Sequence, residues 1–236
     1  MKTLGGTVLS VSKTGYHVEF ECAAMEFCLI NNSFRAPEPP ITNDNVTVEQ
    51  REDKFFITDI LPRKNVVSRF DEAKNRHQHF AANIDRVLIV TSANREYSES
   101  RIKRFKSLSG GIPFTVVLTK IDIAKKIPTA DIKINALDPN SVKKLLALWQ
   151  PNETAMLVGS SGVGKSTIIN SLANLNLKTR PVQGDRHHNQ GRHTTSARTV
   201  YRLACGRKII DNPGIRVVAT FTSKADLDMR PFPSNH

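Results

Sequence analysis

An α/β domain standing behind a small all-β barrel is the architecture that the sequence predicts, and three observations predict it. The first sixty residues carry five short strand-like runs and no convincing helix. From residue 84 onward, apolar runs alternate with helix-length segments. A glycine-rich turn, GSSGVGKST from Gly159, sits between one such run and one such helix.

In chain order, TVLSVS (7–12), YHVEF (16–20), MEFCLI (25–30), NVTVEQ (45–50) and KFFITDI (54–60) are rich in β-branched and aromatic residues. Runs of that kind, broken by polar turns, read as strands, and five of them with no helix suggest an OB-type barrel over 1–62. RAPEPPITND (35–44) carries three prolines and is predicted as a loop. PRKNVVSRFDEAKNRHQHFAAN (62–83) is polar and has no clear period, so 63–83 is expected to be a linker with a short helix. His77 and His79 are then exposed linker histidines rather than a metal pair.

Beyond that point DRVLIVTSA (85–93) reads as a buried strand and YSESRIKRFKSLS (97–109) as a basic helix. FTVVLTK (114–120) and IKINAL (132–137) are further strands, and SVKKLLALW (141–149) is a helix. TAMLVG (154–159) leads into the helix KSTIINSLANL (165–175), and TVYRLACG (199–206) with RKIID (207–211) forms a hairpin. Continuous apolar strands with crossover helices mean a mostly parallel sheet covered on both faces.

Composition narrows the function. The 236 residues are 39% hydrophobic and 24% charged, which reads as soluble and globular. The start has no signal-peptide block and no run approaches a membrane span, so a cytoplasmic protein without membrane contact is expected. Cys22, Cys28 and Cys205 are too scattered for a disulfide framework or a CxxC zinc site. Residues 1–80 hold 10 Lys/Arg against 11 Asp/Glu, whereas 81–236 hold 24 against 11. A surplus of that size favours a polyanionic partner through phosphate neutralisation, over the blander alternative of a basic enzyme with no such partner.

Four segments carry chemistry. Gly159-Ser160-Ser161-Gly162-Val163-Gly164-Lys165-Ser166-Thr167 contains GxxxxGK[ST] with a strand before it and a helix after it. Its glycines let backbone N–H groups turn around phosphates, Lys165 supplies charge to the β/γ oxygens, and the Ser166 hydroxyl suits Mg²⁺. Lys165 thereby counts among the catalytic candidates. In RKIIDNPG (207–214), Asp211 would hold Mg²⁺ and the Gly214 N–H would reach the γ-phosphate. In Thr119-Lys120-Ile121-Asp122, the Asp122 carboxylate can accept from N1–H and the exocyclic amine of guanine together, a pattern adenine cannot offer. That match disfavours an ATP-dependent enzyme. Lys120 would lie along the base, and Asn135-Ala136-Leu137 could present a backbone N–H to the guanine O6. The fourth segment is the long polar stretch 176–198, where Thr194 or Thr195, not both, would meet Mg²⁺. His187, His188 and His193 lack a placed acidic or Cys partner, so a zinc site there is not expected.

These parts run in the order base loop, phosphate loop, switch I, switch II. Moving the chain ends preserves spatial neighbours when the old termini lie close together, so 84–216 is predicted to be a circularly permuted P-loop GTPase domain. Ile215 follows DNPG where a water-orienting glutamine is common, and unaided turnover is therefore expected to be slow.

With GSSGVGKST, GRHTT, DNPGI and TKID in that order behind a barrel, the chain resembles the bacterial small-ribosomal-subunit-dependent GTPase family (RsgA/YjeQ) from about residue 5 to residue 216. PRKNVVSR and AANIDRVLIVTSA belong to the likeness. The resemblance implies GTP/GDP and Mg²⁺ as ligands, the small ribosomal (30S) subunit and its rRNA as partners, and a role late in subunit maturation with turnover stimulated by the subunit. It also implies His193 as the group that approaches the attacking water. The family carries a zinc domain after switch II; residues 217–236 hold no Cys and are expected to be a short tail with no zinc site. A monomer is expected. The alternative is a GTP-binding switch or RNA-binding module with little hydrolysis.

Overall fold

The structure, a computed structural model, describes residues 2–71, 75–94, 97–107, 111–174, 199–211 and 220–223. It divides into two compact units, one built around Met1–Ile84 and one around Asp85–Ser107 and Pro113–Val218.

In the first unit, five strands close on themselves: β1 (Lys2–Val11), β2 (Tyr16–Phe20), β3 (Met25–Ile30), β4 (Asn45–Arg51) and β5 (Lys54–Ile60). β1 pairs antiparallel with both β2 and β4, β2 with β3, and β4 with β5, while β3 and β5 run parallel and complete the ring. Inward positions alternate along the strands, and Val8, Val18, Phe20, Cys28, Val46, Val48 and Ile57 fill the interior. Burial pushes the Cys28 thiol up to about 12, so it behaves as an inert apolar residue. β1 starts five residues earlier than expected, because KTLGG has no apolar alternation to mark it. Gly6 sits there for want of room: a Cβ would lie 2.5 Å from Val18 Cγ1.

The proline-rich loop is tied down by buried charge. Asp44, fully buried, accepts from the Ile41 N–H at 2.7 Å and takes both arms of Arg63 at 2.8 Å. Arg63 also meets Glu38 at 3.3 Å, and His79 Nδ1 lies 2.9 Å from the same carboxylate. The His79 contact holds the Glu38 carboxyl below its ordinary range.

Residues 63–83 are not a bare linker. They carry β6 (Asn65–Asp71) and β7 (Arg76–Ala82), an antiparallel pair, and β14 (Thr220–Ser223) adds to the free side of β6. His77 and His79 accordingly lie half-buried on a strand. Polar residues obscure the strand period here, and the third strand comes from the far end of the chain. Part of the tail 217–236 thus has a structural role; its remainder lies outside the described residues.

The second unit is a sheet of order β10-β9-β8-β11-β13-β12, made of β8 (Arg86–Ser92), β9 (Phe114–Thr119), β10 (Ile132–Lys133), β11 (Thr154–Val158), β12 (Thr199–Arg202) and β13 (Lys208–Asp211). All neighbours are parallel but β12 and β13, the predicted hairpin. α1 (Glu99–Ser107), α2 (Pro139–Lys143), which continues as a 3-10 turn to Leu148, and α3 (Lys165–Ala173) complete the unit. Asp138 caps α2 by accepting from the Asn140 N–H. Leu88, Val90, Val117, Leu157, Ile168 and Ile209 form the core, and Trp149 closes it from the end of the 3-10 turn. The predicted strand 132–137 is only two residues long, since Asn135 turns the chain by accepting from the Leu137 N–H.

Candidate nucleotide site

Strand order reverses between β8 and β11: the chain grows from β8 toward β9 on one side and resumes at β11 on the other. Ligands of open parallel sheets bind outside the carboxyl ends of the strands at such a switch point. Thr119, Gly159 and Asp211 all stand at carboxyl ends of these strands.

The phosphate loop is built by backbone necessity. Gly159 passes so close to β8 that a Cβ would lie 2.2 Å from the Val90 carbonyl oxygen, and Gly162 and Gly164 have φ of 79° and 102°. Gly164 is also the N-cap of α3 and offers no side-chain cap, so the first-turn N–H groups of the helix point at the loop's concavity. Lys165 Nζ curls back to donate to the carbonyls of Gly159 at 2.9 Å and Ser160 at 2.8 Å. Burial lowers its pKa, and the charge of Asp211 opposes that shift. Ser166 and Thr167 are half-buried in the first turn and Ser161 is exposed at the loop tip.

The base loop is fastened directly to the phosphate loop. Thr119, fully buried, points its hydroxyl at the Val163 carbonyl at 2.6 Å, with the Thr91 carbonyl at 3.1 Å. Lys120 then turns the chain at φ 57°, and Asp122 is left exposed to solvent. The third loop closes in as well: a Cβ on Gly164 would lie 3.7 Å from both Ala136 Cβ and the Thr119 side chain. Asn135 is occupied with shaping that loop, its N–H donating to Ser141 Oγ and its Oδ1 accepting from Leu137. The loop that carries Lys120 and Asp122 is thus joined to the loop that carries Lys165, some forty residues later in the chain.

Thr119→Val keeps the shape but leaves the Val163 carbonyl without its donor. It is expected to weaken GDP binding about tenfold, whereas Thr119→Ser stays near wild type. A fluorescence titration with labelled GDP checks both.

His193, Thr194, Thr195 and Gly214 lie outside the described residues. Arg101 of α1, read from sequence only as part of a basic helix, donates from Nη1 to Ser160 Oγ at 2.6 Å. A basic residue outside every motif carries no local sign of such a contact.

The family model described as RsgA GTPase matches residues 60–221. A small ribosomal subunit biogenesis GTPase RsgA of Methanosarcina acetivorans is 32% identical over 95% of this chain and 65% of its own length. A Listeria innocua protein, small ribosomal subunit biogenesis GTPase RsgA 1, is 33% identical over 94% of this chain and 68% of its own. The chain therefore spans 65% and 68% of these relatives' lengths. Among solved structures, YjeQ from Thermotoga maritima superposes with a TM-score of 0.68 at 22% identity, covering 91% of this chain and 76% of that one. YloQ, a circularly permuted GTPase, gives 0.65 at 18% identity over 92% of this chain and 73% of that one. The expected fold class, a permuted GTPase domain preceded by an OB-like barrel, is borne out.

Proposed function

Because this chain belongs to the RsgA GTPase family, we propose that it binds GTP with Mg²⁺, hydrolyses it slowly alone and faster on the small ribosomal subunit, and acts in maturation of that subunit. The observation that supports this reading is the Thr119–Val163 hydrogen bond, which ties the TKID loop directly to the phosphate loop. Asp122 would accept from the guanine edge. The N–H groups of Asn135 and Leu137 are engaged within their loop, which narrows the donor for the guanine O6 to Ala136.

The residues present fit a hard divalent cation: Ser166 at the start of α3 offers a hydroxyl and Asp211 at the end of β13 a carboxylate. Thr194 or Thr195 would complete the set. When bound, Mg²⁺ neutralises charge on the β/γ-phosphates. Lys165 would exchange its two loop carbonyls for phosphate oxygens, and the uncapped first turn of α3 would receive the β-phosphate. Gly214 would donate its N–H to the γ-phosphate.

His193 is proposed to orient the attacking water once the partner engages its segment, since the Ile215 side chain cannot hydrogen-bond that water. His193→Ala is expected to abolish turnover stimulated by the subunit while leaving GTP affinity nearly intact. Equal stimulation in that variant excludes the role. The basic surplus in 81–236 supports contact with rRNA. Among the described residues no helix is long and apolar enough to cross a membrane; a cytoplasmic monomer is the state proposed. Ile215 also favours a second reading, a GTP-binding switch with little hydrolysis. Turnover measured with and without purified small subunits separates the two: strong stimulation supports the first reading, and none supports the second.

A further inference from the structure

Ser160, the second residue of the phosphate loop, is held from two sides. Its carbonyl accepts from Lys165 Nζ at 2.8 Å, and its hydroxyl accepts from Arg101 Nη1 at 2.6 Å. Arg101 is exposed and its neighbour Ile102 is buried, and both line, with Val163, Val90 and Ser160, the cleft between helix and loop. α1 thus faces the loop across an apolar cleft and holds its rim by a charge-assisted hydrogen bond.

We infer that Arg101 is a positioning residue for nucleotide binding: its hydrogen bond to the Ser160 hydroxyl anchors that side chain, and with it the second residue of the loop, so the loop is held in shape before the nucleotide arrives. The two holds are complementary. Lys165 must leave the Ser160 carbonyl to reach phosphate oxygens, and at that moment the Arg101 bond still holds Ser160. A loop fixed in advance loses less conformational freedom on binding, and that saving appears as affinity. The guanidinium needs no contact with the ligand for this. The inference rests on the nucleotide reading above and adds to it an element, α1, that no phosphate-loop motif contains.

The test is a double-mutant cycle on the full chain, read by titration with labelled GDP. Arg101→Ala and Ser160→Ala are each expected to weaken binding about three- to tenfold, and the double variant to be no weaker than the worse single one. Arg101→Lys, which keeps a cationic donor, should recover part of the loss. A merely structural arginine would instead lower Tm and leave Ser160→Ala at wild-type affinity. Additive losses, or wild-type affinity in both single variants, overturn the inference. Should Arg101→Ala fail to fold, Ser160→Ala decides alone, and wild-type affinity there is a refutation. Failure of the unaltered protein to bind GDP overturns the functional reading as well, whereas normal binding with both variants unaffected overturns this inference only.

Discussion

Asp122→Asn is expected to lower GDP affinity by about a hundredfold or more and to move the preference to xanthosine diphosphate. A carboxylate accepts two hydrogen bonds from the N1–H and exocyclic amine of guanine. An amide offers one acceptor and one donor, so its NH₂ meets the guanine amine donor to donor. Xanthine carries a carbonyl at that position, which the amide can satisfy. Asp122 is exposed, on a loop whose start is set by buried Thr119 and by Lys120 at φ 57°. Its replacement should therefore leave Tm unchanged, so that loss of binding reads as recognition and not as unfolding. Competition of GDP, ADP and xanthosine diphosphate for one labelled nucleotide measures it. Unchanged GDP affinity would mean that the base lies elsewhere.

Lys165→Ala should have the second large effect, a loss of GDP and GTP binding of about a hundredfold or more with no measurable turnover. Two consequences combine. The β/γ oxygens lose their charge-assisted donor at a site where burial already strengthens electrostatics, as the lowered pKa of this lysine signals. The carbonyls of Gly159 and Ser160, bonded to Nζ at 2.9 and 2.8 Å, also lose that donor, so the loop loses part of the frame that shapes it. Circular dichroism distinguishes the outcomes: a folded variant that no longer binds is the expected result. A folded variant with wild-type affinity would remove Lys165 from the site.

Much of this was readable from the sequence because the signals are local. GSSGVGKST names its own conformation: three glycines at positions that demand left-handed backbone or contact with β8, then a lysine and a hydroxyl on a helix start. TKID closes a strand whose burial is legible in FTVVLT. Their reversed order pointed to permutation, and the hydrogen bond between Thr119 and Val163 supplies the spatial counterpart of that inference.

The rest depended on contacts between distant residues. β6 and β7 went unread because NVVSRFD and RHQHFAA mix polar and apolar residues, and β14, their partner strand, lies about 150 positions downstream in sequence. Asn135 gave no sign that its amide would be spent on shaping its own loop. Arg101 looked like any solvated charge on a basic helix until the fold set it against Ser160. His193, Thr194, Thr195 and Gly214 stand as the sequence left them.

The central claim is that one guanine nucleotide spans Asp122 and Lys165. Titration of GDP and of ADP against the purified chain, in the presence of Mg²⁺, tests it most directly. Saturable GDP binding with ADP at least about a hundredfold weaker is the predicted result. Equal affinity for the two, or tighter binding of ADP, would contradict it.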